Sequence, residues 1–496
     1  MKSIFNIQLF ALFVLPAVFS LTACGDSGKN IPDGPGTGGD TGTKSDVTIY
    51  VTTADRMFDF KKDSTNFSTT QNMSPSTIFL APTQRFQTMD GFGAAITGST
   101  AYNLLKMAPA DRTKFLKETF SVTDGMGYSY VRVPIGCSDF SLSEYTCCDT
   151  KGIENFALTS EENNYIIPVL KEILAINPDV KILGSPWTCP RWMKVNNLAD
   201  LQPYNSWTSG HLNPAYYADY GTYFVKWIQA FANAGITVYS VTPQNEPLND
   251  GNSASLHIDW NEERDFVNNS LVPAIKAAGL KTKIYIWDHN YDNVSYPTNI
   301  FKGGVDDNVV VGSAWHDYGG TNDALIQIHN AFSNKEAIFT ESSIGAWNDG
   351  RNLSVRLMDD MRDLALGTVN NWSKAVIVWN LMLDSNGGPN RPGGCNTCYG
   401  TVDIDATNYK TITRNSHYYI IGHLASVVHS GATRIGTTGY SATGVTFSAF
   451  ENTDGAYAVV LLNNASDTKK ITLDDGKNHF SYDVPARSVI SYLWKK

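Results

Sequence analysis

Between about residues 87 and 425 the sequence alternates strand-like with helix-like segments, and this alternation constrains the fold more than any other feature. β-Branched and aromatic runs occur at 89–96, 128–133, 180–185, 237–242, 283–288, 309–315, 337–340 and 375–380. Between them, in 110–120, 161–176, 216–234 and 262–278, apolar side chains return at three and four positions, as Tyr217, Phe224, Ile228 and Phe231 do. A strand, a crossover helix and a second strand build a parallel sheet. Eight such units are the number that closes a (β/α)8 barrel. The fold class predicted is α/β, with the barrel over residues 87–430.

After Gly431 the pattern changes. Short runs at 444–450, 457–463, 470–473, 479–484 and 488–494, separated by Asn, Asp, Gly and Ser, predict an antiparallel β unit over 431–496. Strand signals at 47–52 and 77–80 place segment 47–86 with that unit.

The first residues read as a processing signal. Lys2 precedes an apolar run from Ile4 to Leu21, and Leu21-Thr22-Ala23-Cys24 sets small residues before a cysteine. This resembles a bacterial lipoprotein signal, which implies removal of residues 1–23 and a lipid on Cys24. Residues 24–46, rich in Gly, Asp, Thr and Ser, then form a flexible tether. A transmembrane anchor is the alternative, because a run of about 18 residues nearly spans a bilayer. No later stretch is long and apolar enough to do so. The expectation is an exported monomer, held by a lipid at a bacterial cell-envelope membrane, periplasmic or at the cell surface.

Composition removes several classes. Hydrophobic residues make up 42% of the chain and charged ones 17%, enough apolar material for a sizeable core. Lys and Arg number 38 against 48 Asp and Glu, a net charge of -10, so no basic excess is available for nucleic acid. The nine His include no His-Glu-x-x-His pattern. Cys395-Asn396-Thr397-Cys398 has metal-ligand spacing but no second pair nearby, so a local disulfide or free thiols are expected there. Gly91-Phe92-Gly93 has Ile96 where a dinucleotide fingerprint needs a third small residue. Neither a metal nor a cofactor is expected.

In such a barrel, functional side chains project from the C-terminal ends of the strands. The fourth predicted strand runs into Thr242-Pro243-Gln244-Asn245-Glu246-Pro247, and the seventh ends in Phe339-Thr340-Glu341. Two carboxylic acids thus reach one mouth from opposite sides, as glycoside hydrolysis requires. One must be protonated to assist the departing oxygen and the other ionised to attack the anomeric carbon, so their surroundings must push their pKa values apart. Asn245 can donate its amide to a hydroxyl beside the attacked carbon, and Pro247 restricts the chain after Glu246. A glycan-binding surface protein without catalysis would use similar aromatics, but has no need of two glutamates so placed.

Six ordered motifs carry a resemblance: Gly91-Phe92-Gly93-Ala94-Ala95, Val131-Arg132-Val133-Pro134, Cys137-Ser138-Asp139-Phe140-Ser141, Ser185-Pro186-Trp187-Thr188, Asn245-Glu246-Pro247 and Trp379-Asn380-Leu381. From about Gln87 to its end the sequence resembles glycoside hydrolase family 30, the glucosylceramidase-like family. The resemblance implies a (β/α)8 barrel with a side β-sandwich and hydrolysis of β-glycosides with retention. Glu246 then falls as acid/base and Glu341 as nucleophile. Trp187 is expected to line the sugar pocket, Trp379 to form its floor, and Arg132 to pair with a catalytic carboxylate. Tyr318 is expected to hydrogen-bond the nucleophile, His316 beside it to contact substrate, and Asp288 and His289 either to touch substrate or to buttress neighbours.

One departure bears on substrate. Glucosylceramide-cleaving members follow the first strand with Thr-Asp, whose carboxylate grips a terminal glucose. Here the pair is Thr97-Gly98. The glycine-rich stretch from Asp384 to Tyr399 also looks rebuilt beside Trp379. Both changes favour a longer β-glucan, and the family includes β-1,6-glucanases. The expectation is a tethered endo-β-1,6-glucanase, with glucosylceramidase or another exo-β-glycosidase as the nearest alternative.

Overall fold

The structure, a computed structural model, describes residues 45–70 and 74–496. The expected signal segment, 1–23, and Cys24 lie outside these residues. Among the described residues no helix is long and apolar enough to cross a membrane.

Eight parallel strands close into a barrel in chain order: Gly91–Ala95, Tyr130–Pro134, Lys181–Ser185, Ser240–Val241, Lys283–Asn290, Val310–His316, Glu336–Glu341 and Ser373–Asn380. Each lies within two residues or so of its predicted span, except the fourth, which pairs over only two residues. Helices such as Pro109–Phe120, Ile167–Ile176 and Tyr217–Asn233 bury their apolar faces against the outside. A helix over Ser416–Ala425, buried along its whole length, closes the ring after the eighth strand and was not anticipated. It has no polar face, so its sequence carries no amphipathic period.

The glycine-rich first strand has a steric cause. A Cβ on Gly93 would stand 1.8 Å from the Tyr130 carbonyl of the neighbouring strand, so only glycine lets the two backbones meet. Inside the ring, Tyr130, Leu183, Tyr285, Ala314, Ile338 and Ile377 form an apolar plug. Side chains two residues apart on a strand share a face. The next inward positions toward the C-terminal ends are therefore Arg132, Ser185, His316, Thr340 and Trp379, and the plug gives way to a polar layer.

The other β unit is one nine-stranded sheet that folds back on itself as a sandwich. Phe480, on the strand at one end of the strand order, packs against Tyr492 and Trp494 six strands away, with ring centroids 5.7 and 5.2 Å apart. Strands Val47–Thr53 and Thr77–Thr88 belong to this sheet. Two further strands, Lys61–Thr65 and Thr433–Gly439, lacked the apolar alternation that would have announced them. Strand Tyr457–Asn463 is buried on both faces: Tyr457, Val459 and Leu461 enter the sandwich core, while Ala458, Val460 and Leu462 enter the barrel-side core. That explains its unbroken apolar run.

Candidate active site

The polar layer above the plug is a single hydrogen-bonded network. Arg132, wholly buried, donates from Nη1 to Glu341 Oε2 at 2.5 Å and from Nη2 to Asn245 Oδ1 and Asp288 Oδ2, each at 2.7 Å. Asp288 also accepts from Ser185, Thr242 and Thr340. Its carboxyl is held far below the ordinary range: burial opposes ionisation, but the Arg132 charge and the His316 contact overcome it. Asp288 is thus a buttress, and never meets the cavity. His289 does line the cavity, with a buried Nδ1 that has no partner.

Backbone irregularities aim these side chains. Strand register shifts at Trp287/His289, Trp315/His316 and Val378/Asn380, inserting Asp288, Thr340 and Trp379 as extra residues. Glu246 and Asp288 adopt left-handed backbone, with φ of 46° and 57°. Such conformations cost energy in residues with a Cβ and persist where the surroundings fix them. Here the Glu246 amide donates to the Asp288 carbonyl at 3.0 Å, locking the two strand ends together.

Glu246 and Glu341 both line a cavity of about 830 Å³, together with Asp139, Trp379, Trp347, Tyr318 and His289. One oxygen of each glutamate and a ring nitrogen of His316 lie within 4.8 Å of one another. Arg132 already faces Glu341, and His316 sits between Glu246 Oε1 at 3.2 Å and Asp288 Oδ1 at 3.1 Å, so the cluster is neutralised from within. Tyr318 donates to Glu341 Oε1 at 3.0 Å, while Asn249 donates to Glu246 Oε2 at 2.7 Å.

These contacts separate the two acids. Burial raises the Glu341 carboxyl, and the Glu246 and Asp288 charges add to this against the pull of His316 and Arg132. Burial would raise Glu246 too, yet the His316 hydrogen bond and charge, His289 and Asn249 hold it at about 2. The proton resides on His316. Burial disfavours it there, but the Glu341 charge and the hydrogen bonds to Asp288 and Glu246 carry His316 up to about 10.

Two expected sugar contacts lie elsewhere. Trp187 is buried and stacked against Trp379, centroids 5.0 Å apart, so Trp379 faces the cavity and Trp187 backs it. His316 is also fully buried, screened from the cavity by the glutamates it touches. Arg132 pairs with Glu341 and lies near both indole rings, 4.9 and 5.3 Å from their centroids. The Asn245 carbonyl is occupied by Arg132, which leaves its amide nitrogen as the free end.

Asp139 and Trp347 are among the cavity residues that were not singled out from sequence. Asp139 stands within a quoted motif, has a buried Oδ1 without a partner, and is pushed up to about 8 by burial and the charges of Glu341 and Glu246. Trp347 lies six residues after Glu341 on a short turn, Ala346–Asn348. Cys395 and Cys398 are disulfide-bonded and also line the cavity.

Gly98 has a structural explanation as well. Thr97 caps helix Gly98–Lys106, accepting from Thr100 N, and a Cβ on Gly98 would stand 1.7 Å from Glu161 Oε1. The Glu161 carboxylate occupies the room that a side chain at position 98 would need.

An eight-stranded parallel barrel whose mouth holds two glutamates on opposed strands, one gripped by arginine and tyrosine, is built to hydrolyse glycosidic bonds: this is a glycoside hydrolase. It belongs to glycosyl hydrolase family 30, matching the family's TIM-barrel domain over residues 89–428 and its β-sandwich domain over 431–492. The chain is 33% identical to an endo-1,6-β-D-glucanase of Trichoderma harzianum, covering 82% of this chain and 84% of that one. It is 27% identical to the lysosomal acid glucosylceramidase of Mus musculus, over 84% and 83%. Among solved structures it resembles the endo-β1,6-glucanase BT3312, with 62% identity, a TM-score of 0.89, and coverage of 91% of this chain and 100% of that one.

Proposed function

We propose that the protein is a retaining endo-β-1,6-glucanase in which Glu341 is the nucleophile and Glu246 the acid/base. The close approach of the two glutamates carries this reading. Retaining glycosidases set their carboxyls about 5–5.5 Å apart, whereas inverting ones leave about 6.5–9.5 Å for a water. A Glu341 oxygen attacks the anomeric carbon, the bond to the leaving oxygen breaks, and Glu246 protonates that oxygen. Glu246 then takes a proton from water, which displaces Glu341 from the sugar. The proton needed first is stored in the Glu246–His316 hydrogen bond. Arg132 and Tyr318 hold Glu341 by its two oxygens and keep it aimed, and the Arg132 charge opposes the rise that burial imposes on its carboxyl.

The filled site at Gly98 supports a glucan over a glucosylceramide, as do the high identity and near-complete coverage of the solved glucanase. We also place the chain at a cell-envelope membrane through a lipid on Cys24, acting as a monomer; Cys24→Ser should abolish incorporation of labelled palmitate. Product analysis on linear β-1,6-glucan, gentiobiose and glucosylceramide tests the activity. Short oligosaccharides should appear from the polymer, with the β-anomer released first. Glucose released from the lipid with no attack on the glucan overturns the reading.

A further inference from the structure

Trp347 is the one tryptophan among the described residues that stands largely in solvent, with 53% of its surface exposed. It also lines the cavity that holds both glutamates. An exposed indole at the wall of a cavity offers apolar area that a bound ring can remove from water.

Its seat is built. A Cβ on Gly345 would stand 2.0 Å from the indole, so the six-membered ring lies directly against glycine backbone. Gly345 has extended backbone, with φ of −168°, and needs no left-handed conformation. Glycine is required there by the ring alone. Residues Ile344 and Gly345 pair antiparallel with Tyr399 and Cys398, and the Ala346 amide donates to the Thr397 carbonyl at 2.9 Å. The disulfide turn Cys395–Cys398 therefore braces the tryptophan turn from across the same cavity wall. Gly345 N donates to Asn348 Oδ1 at 2.9 Å, which closes the turn on itself. One face of the ring is fixed to backbone while the ring borders the cavity, an arrangement ready to receive the apolar face of a sugar.

We propose that Trp347 is a stacking platform for a glucosyl unit of the chain beyond the unit attacked by Glu341, held in place by Gly345 and the disulfide turn. This rests on the glucanase reading and adds a specificity-determining residue to it: the platform serves a polymer and gives little to a substrate of one sugar.

The test compares wild type, Trp347→Ala, Trp347→Phe and Gly345→Ala on linear β-1,6-, β-1,3- and β-1,4-glucans and on an aryl β-glucoside, with Tm recorded for each. In Trp347→Ala, the ratio of kcat/KM on the cleaved glucan to that on the aryl glucoside should fall about tenfold, mainly through KM. Trp347→Phe should recover part of the loss. Gly345→Ala should reproduce it with the indole still present, because the new methyl dislodges the ring. An unchanged ratio in Trp347→Ala, or an equal loss on both substrates through kcat, overturns the platform. Should Gly345→Ala not fold, the Trp347 pair decides alone. Wild-type cleavage of a glucan other than the β-1,6 polymer sinks the linkage assignment while the ratio is still read on that glucan. Cleavage of the aryl glucoside and of no glucan overturns both.

Discussion

Arg132 and Asp288 face each other at 2.7 Å with both side chains fully excluded from water, and the same guanidinium reaches Glu341. Removing one partner of a buried ion pair strands the other, at a cost of about 3–5 kcal/mol. Arg132→Met should lose stability on that scale in urea unfolding, along with its activity. Arg132→Lys should keep more of the fold yet still lose kcat, because an ammonium cannot present a planar fork to Glu341, Asn245 and Asp288 together.

Glu246 is needed only where the leaving group is poor. Glu246→Ala should lose about 10²–10⁴-fold on glucan, the range for a missing general acid. The first step on a dinitrophenyl β-glucoside, whose phenolate departs without a proton, should suffer far less. Steady-state and burst kinetics on the two substrates separate these effects, and equal losses would remove Glu246 from the acid role.

His316 links stability to pH. Its pKa is raised in the folded state from 6.5 to about 10, so the stabilisation from its charge is complete below pH 6.5 and disappears as pH rises through about 10. The wild-type Tm should decline across that window. In His316→Gln the decline should flatten, with a lower Tm at neutral pH, as scanning calorimetry at successive pH values would show.

Asp139, pushed up to about 8, is a neutral acid at pH 7 and can donate to a sugar hydroxyl. Above pH 8 it gains a charge close to the two glutamates, which predicts a fall in kcat/KM. Asp139→Asn keeps an uncharged donor and should remove that alkaline limb at modest cost. Asp139→Ala should lose kcat/KM across the whole pH range.

Gly98→Ala should destabilise by about 1–3 kcal/mol, the usual cost of overpacking a tight site. Glu161→Ala in the same chain should recover much of the loss, since Glu161 is what the new methyl strikes. A double-mutant cycle by urea denaturation measures the coupling.

The barrel was legible because its period-two strands and period-three-to-four helices record burial, and Glu246 and Glu341 because they follow two of those strands. Trp187 and Trp379 illustrate the limit. Each stands at a strand end in sequence, but which of the two stacked rings faces the cavity and which backs it depends on how neighbouring strands pair, and sequence spacing does not contain that pairing. The spacing of His316 in sequence places it at the mouth for the same reason, while its depth is set by the glutamates packed over it. Trp347 went unnoticed because its seat is Gly345, and a glycine that accommodates a ring reads in sequence like any other turn glycine.

Strand Ser488–Trp494 lies between Val47–Thr53 and Tyr457–Asn463, pairing Val47 with Trp494 on one side and Tyr457 with Trp494 on the other. The partner of the first described strand is therefore made only after the whole barrel that lies between them in sequence. The sheet cannot close before Ser488–Trp494 has been made, and until then the strand Val47–Thr53 has one edge waiting. Loss of Ser488–Trp494 would leave two unpaired edges, each a template for association with another copy.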